Sequence, residues 1–126
     1  GRLMSVKVDL AGLANALDEY SFAYLLTDGD DFRPHAVAVD PMLRDGVLEV
    51  GRIGATTSTN AAAHPAVTLV WPPSEAGGYS LIVDGRGLLP EGGATLTVTP
   101  TRAVLHRPAE PSADKHLHDC VPLKQA

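Results

Sequence analysis

The apolar runs of this chain are short, and the segments that join them are mostly too short to let the chain cross back over a sheet. Phe22 to Thr27, Pro34 to Asp40, Val47 to Val50, Val67 to Trp71, Tyr79 to Asp84 and Thr95 to Thr99 read as strands. Turn signals separate them: Asp28-Gly29-Asp30-Asp31, Pro41 to Gly46, Pro72-Pro73, and Leu88 to Gly93. A parallel connection needs a dozen or more residues, so antiparallel order is expected. The last strand is expected to kink at Pro100 and run on through Arg102 to Leu105, and Gly85-Arg86-Gly87 marks a bulge or bend. Leu10, Leu13 and Leu17 recur at helical spacing behind Asp9, a candidate cap. A second short helix is expected from Thr57 to Ala63, ended by His64-Pro65 because the residue before a proline avoids helical backbone. Six strands with two short helices fit a small barrel, which leaves no exposed sheet edge. The predicted class is mainly β, a six-stranded antiparallel barrel.

The length of 126 residues suits one domain. We place it at 10–108, between an N-terminal segment 1–9 and a Pro-rich polar tail 109–126. Gly1 to Leu3 read as partly tag-derived, with Met4 as the native start. The net charge of −5 and the absence of a basic run argue against nucleic acid as a partner, since that binding rests on Lys and Arg neutralising phosphates. No apolar run approaches the ~20 residues that span a bilayer. No signal peptide is visible, and the single cysteine, Cys120, cannot form an internal disulfide. The expectation is a cytoplasmic protein with no membrane partner.

The richest stretch for function is Val50-Gly51-Arg52-Ile53-Gly54-Ala55-Thr56-Thr57-Ser58-Thr59-Asn60. It reads as a strand end, a loop dense in hydroxyls and a helix start. A helix start carries unpaired N–H groups and the positive end of the helix dipole. Thr56, Thr57 and Ser58 can add donors, and Arg52 adds a permanent positive charge. Together these can hold a phosphate. The plainer alternative is that one hydroxyl only caps the helix.

Other residues invite weaker readings. Asp28, Asp30 and Asp31 lack the glycine and distal glutamate of a calcium loop and read as a solvated turn. His116, His118 and Cys120 fall on one side of an extended chain and are zinc-competent types, but no further ligand can be named, so no metal is assigned. Ser80, Ser58 and Cys120 stand in no nucleophile motif. Arg107 reads as a surface salt-bridge residue or a reach toward an anion. Trp71 reads as a core or subunit contact, with ring stacking the lesser option for it and for Tyr79.

From Leu10 to Pro108 the order of motifs resembles the split-barrel flavoproteins, the superfamily of pyridoxamine 5′-phosphate oxidase and related flavin- and deazaflavin-dependent reductases. The resemblance is carried by Arg33-Pro34-His35-Ala36-Val37-Ala38-Val39, by Asp45-Gly46-Val47-Leu48-Glu49-Val50, and by Asn60-Ala61-Ala62-Ala63-His64-Pro65-Ala66-Val67-Thr68-Leu69. It implies a split barrel that forms a homodimer, binds FMN or the deazaflavin F420 between subunits, and performs hydride-transfer chemistry on a small-molecule substrate. By that resemblance Arg52, Thr56, Thr57 and Ser58 hold the cofactor phosphate, while His35, Val37 and the backbone near Val50 lie along the cofactor. No catalytic residue is assigned, because the cofactor carries the hard step. One departure stands out: the family places a Lys one helical turn before the Asn60 position, and this chain has Thr57 there. The alternative it raises is a noncatalytic split barrel that binds or carries a cofactor or ligand.

Overall fold

The computed structural model describes residues 3–90 and 95–109. Within them the strands are β1 (Leu3–Val8), β2 (Ala23–Asp28), β3 (Pro34–Val39), β4 (Met42–Arg44), β5 (Val47–Arg52), β6 (Ala66–Trp71), β7 (Ser80–Leu88) and β8 (Thr95–Pro108). Helix α1 (Leu13–Leu17) follows a single 3₁₀ turn at Leu10–Gly12, and helix α2 (Ala55–Ala63) links β5 to β6. The strands form one antiparallel sheet in the order β3-β2-β6-β7-β8-β5-β4, with β1 added to β8.

The prediction of six strands is corrected to eight among the described residues. Pro41 to Gly46 does not form a simple turn. Met42–Arg44 is a strand paired with Val47 to Glu49, and only Asp45-Gly46 turns. Both turn residues have positive φ (53° and 78°), the mirror-image geometry that Asp-Gly favours and that matches strand twist. The other strand missed is β1. Its short run Val6-Lys7-Val8 carries little periodic signal, and it is ordered by pairing with residues 103–108 of β8.

Strand β8 organises the sheet. It pairs with β7 along most of its length, while its other side is shared between β5 (residues 95–98) and β1 (residues 103–108). Pro100 lies in the middle of this strand, where it removes a ladder donor. The mismatch is absorbed opposite it, where the register shifts between Asp84 and Gly85. A Cβ on Gly85 would sit 2.5 Å from Val98 Cγ1 and 2.7 Å from the Thr99 carbonyl oxygen, so only glycine lets the strands approach there.

The inner face of the curled sheet holds the core: Leu25, Leu48, Leu69, Trp71, Leu81, Val83, Leu96 and Val98, joined by Leu13 from α1 and Ala61 from α2. Asp9 caps the 3₁₀ turn by accepting from the Ala11 amide, as its position suggested. Tyr20 ties the end of this helical segment to the sheet by donating its hydroxyl to the Tyr79 carbonyl at 2.9 Å. Burial, and then the nearby Glu19 carboxylate, raise its pKa above the ordinary 10.0.

The order leaves β3 and β4 as edges, and the barrel does not close by hydrogen bonding between β3 and β5. This is the split. No residue of β3 is fully buried, so the strand presents an open edge.

Replacing Gly85 with Ala is expected to lower stability by about 1–3 kcal/mol, the usual cost of overpacking, measured by urea unfolding. A loss below a few tenths would show that the strands can part at no cost. Tyr20 holds its proton more tightly folded than unfolded. Its contribution is therefore complete below its unfolded pKa near 10.0 and lost as pH rises through the higher folded value. Tyr20→Phe should cost about 1 kcal/mol at neutral pH, the worth of one hydrogen bond, and flatten the alkaline loss of stability.

Candidate functional site

The split of the barrel is occupied by a groove of about 260 Å³. One wall is β3, through His35, Val37 and Val39. The other is the stretch from Arg52 at the end of β5 into the first turn of α2. Alternation along β3 turns His35, Val37 and Val39 toward one side, where all three are half-buried. This wall is mainly apolar; the opposite one is polar.

Helix α2 begins at Ala55, two residues earlier than Thr57. Its N-cap is Gly54, which has extended backbone and offers no side-chain acceptor. The reading in which a hydroxyl caps the helix is thereby corrected: the candidate hydroxyls lie within the helix. The first amide to bond back is that of Ser58, to the Gly54 carbonyl at 2.9 Å. The amides of Ala55, Thr56 and Thr57 precede it and point out of the helix start as donors.

The sequence-predicted residues divide cleanly. His35, Val37, Arg52, Thr56 and Thr57 all line the groove. Ser58 is half-buried and does not line it, and Val50 is a core residue. Thr57 is 2% exposed, so position 57 faces inward and gives the groove only a sliver of surface. Arg52 is exposed and makes no ion pair among the described residues, which leaves its charge available.

Sequence reasoning missed Arg33. It lies beside Pro34 and His35, and with Gly29, Asp31, Thr56 and Asn60 it lines an adjoining space of about 350 Å³. His35 and Thr56 border both spaces. The signal was present, an Arg immediately before the β3 edge, but the contact depends on how the β2–β3 turn folds over α2. Two bonds fix that: Asn60 Nδ2 donates to Thr27 Oγ1 at 3.2 Å, and His64 Nε2 lies 2.8 Å from an Asp30 carboxylate oxygen. The aspartate-rich turn is thus an anchor for the end of α2.

The remaining candidates fall elsewhere. Trp71 is 1% exposed and belongs to the core. The Arg107 guanidinium lies over the Tyr79 ring, 4.5 Å from its centroid, a cation–π contact in place of a surface salt bridge. No cluster of three or more metal-ligating side chains occurs among the described residues, and His116, His118 and Cys120 lie outside them. No helix among the described residues is long and apolar enough to cross a membrane.

No family model matches the chain. It is 48% identical to an uncharacterized protein of Mycobacterium bovis and to one of Mycobacterium tuberculosis, over 91% of this chain and 94% of theirs. The chain belongs to their family. Among solved structures it superposes on an FAD-binding protein of Mesorhizobium loti (TM-score 0.61, 14% identity, 82% of this chain and 99% of that one). It also superposes on a candidate pyridoxamine 5′-phosphate oxidase of Listeria innocua (0.62, 15%, 76% and 96%). A third match is an F420 reductase (0.59, 18%, 71% and 93%). Its fold is the pyridoxamine 5′-phosphate oxidase-like split barrel. The groove just described is the split of that barrel.

Proposed function

We propose that this split-barrel protein is a homodimeric oxidoreductase that binds FMN or F420 by its phosphate at the start of α2 and acts on a small organic molecule. The observation that carries the reading is the convergence of an unpaired Arg52 with the uncapped amides of Ala55, Thr56 and Thr57 at one end of a groove whose other wall is apolar. That set fits a phosphate joined to a flat ring. The amides and Arg52 supply charge-matched donors, and Val37 and Val39 supply apolar surface. The names of the structural neighbours, which include flavin- and F420-dependent proteins, agree with it.

Bound there, a flavin or deazaflavin would supply the hydride chemistry. The chain's own part is to hold and orient. Arg52 and the helix start fix the phosphate, and His35, on the same face of β3 as Val37, offers a ring nitrogen for a hydrogen bond along the groove. A groove of about 260 Å³ open on one side is small for a whole cofactor. A second subunit laid against the split would complete it.

The outer face of the sheet supports the dimer. In register across β3, β2, β6 and β7 lie Ala38, Tyr24, Val70 and Ile82, an apolar row that ends at the already buried Val104 of β8, with Phe22 packed edge-on against Tyr24 at 5.2 Å. The next row turns polar at Thr68, Asp84 and Arg102. Such a bounded stripe is what a subunit contact would bury.

One observation favours a second reading, a split barrel that binds a cofactor or ligand without catalysis. The inward-facing Thr57 stands where the family's phosphate lysine is expected, which leaves less charge at the site.

Titration of the purified protein with FMN, and separately with F420, followed by their fluorescence, tests the assignment. Saturation at one cofactor per subunit is expected, and Arg52→Ala should weaken it roughly 10–100-fold, as loss of a charged hydrogen bond does. Unchanged affinity in Arg52→Ala sinks the phosphate assignment; failure of both cofactors to bind leaves the noncatalytic ligand-binding reading. The apolar row predicts that Val70→Asp halves the mass seen by sedimentation equilibrium while the circular dichroism stays folded. A wild-type monomer would remove the dimer.

A further inference from the structure

Arg52 reaches the groove through an irregularity in β5. Strict alternation along that strand would turn position 52 inward with Leu48 and Val50, both core residues (0% and 7% exposed). The ladder shifts before that happens. Leu48 pairs with Val98 and Glu49 with Thr97, but Gly51 pairs with Leu96 and Arg52 with Thr95. Two steps on β5 therefore match one on β8, and Val50 is the extra residue. Such a bulge resets the face that each later side chain takes. Past it, Ile53 packs against the core and Arg52 is exposed at the groove. Gly51 lies in the bulge at φ 89°, backbone that glycine adopts at no steric cost and other residues resist. A Cβ there would meet nothing within 4 Å, so the demand for glycine is one of backbone conformation. Gly85 is the opposite case, where the added atom would clash.

We propose that Gly51 is a positioning residue for the phosphate site: the bulge it permits turns Arg52 out of the barrel interior and aims its charge at the groove beside the start of α2. This role rests on the phosphate reading of Arg52 and adds to it the backbone device that directs the side chain. An arginine carried inward with Leu48 and Val50 would be desolvated, and the core cluster among the described residues holds no charged group to pair it. The outward setting asks only for positive φ at one residue, which glycine supplies. Only Ile53 and Gly54 separate Arg52 from Ala55, the first residue of α2. Ile53 is held by the core, so the bulge and the helix start are tied through one short link. The direction taken at Gly51 therefore fixes where the charge of Arg52 lies relative to the free amides of Ala55, Thr56 and Thr57.

The test has two arms on the full chain. The first reads orientation with no cofactor present. In a Cys120→Ser background, Arg52→Cys leaves a single thiol, at position 52, and its rate of labelling by a maleimide dye reports its exposure. Adding Gly51→Val, whose β-branched side chain resists positive φ, should slow that labelling roughly tenfold as the thiol turns inward. The second arm reads affinity for FMN and for F420 by their fluorescence. Gly51→Asn, Gly51→Ala and Gly51→Val should weaken binding in that order, the order in which these residues resist positive φ. Gly51→Val should lose roughly as much as Arg52→Ala, about 10–100-fold. Joining Gly51→Val to Arg52→Ala should cost no more than Arg52→Ala alone, a coupling that a general loss of stability would not produce. Thermal unfolding verifies that each variant folds, and Gly51→Ala replaces Gly51→Val in both arms if the latter does not. An unchanged labelling rate overturns the re-aiming of position 52. An additive double variant, or a Gly51 series that leaves affinity flat while Arg52→Ala weakens it, overturns the positioning role while the phosphate reading stands. An Arg52→Ala variant without effect, or failure of both cofactors to bind, overturns the phosphate reading and the positioning role with it, and the labelling arm then decides the geometry of β5 by itself.

Discussion

The close approach of Gly85 to Val98 and Thr99 is the contact on which the architecture turns. Strand β8 has to pair with β7 on one side and with both β5 and β1 on the other, and it carries a proline in its middle. A flat ladder cannot accommodate Pro100 without losing a bond at a half-buried position in mid-strand. The register shifts there with Thr101 of β8 as the extra residue, and the glycine opposite removes the side chain that the shift would crush. Bulges also raise local twist. The added twist curls the sheet so that its first and last parts face each other, β3 across from β5. The split between them is therefore a consequence of strand geometry in the far half of the molecule.

Under the proposed function, that geometry is what lets an acidic chain offer an anion a positive site. The net charge is −5, yet the groove gathers Arg52 and the amide end of α2, and the space adjoining it Arg33. Other arginines are engaged elsewhere: Arg44 with Glu49 at 3.3 Å, Arg102 with Asp84 at 3.7 Å, Arg107 over Tyr79. Exposed pairs of this kind contribute little to stability. Their effect is on the distribution of charge, because they leave the cations at the split among the unpaired ones. Near such a cleft the local field, more than the net charge, governs what approaches.

Much of this was legible in the chain. The strand runs, the irregularity beside Gly85, the passage of β8 through Pro100, the cap at Asp9 and the groove residues Arg52, Thr56 and Thr57 follow from local pattern, while His35 and Val37 came from the family resemblance. What was not legible depended on partners distant in sequence. Strand β1 has few periodic residues and is defined by pairing with β8 about a hundred positions away. Strand β4 spans three residues, too few for a period, and only the Asp-Gly turn marks it. Arg33 stands in view immediately before β3, but its place beside α2 is set by Asn60 on Thr27 and His64 on Asp30, which its position alone does not reveal. The start of α2 was misplaced because hydroxyl residues favour caps; here a glycine takes the cap and the threonines enter the helix.

If Arg52 serves the phosphate as proposed, moving the charge from position 57 to position 52 has a physical consequence. A lysine on the helix would bring a flexible, strongly hydrated point charge to the site. An arginine at the end of β5 brings a planar fork of donors, pre-arranged for phosphate oxygens. Its backbone is fixed by pairing with Thr95 of β8, so it is anchored to the same strand whose curl opens the split. Thr57 is then released to fill the interior beside the core, as its burial records. On the proposed reading, anion recognition draws its charge from the sheet and its donors from the helix. Any change that alters how β5 meets β8 should therefore be felt at the groove, even where it touches no groove residue.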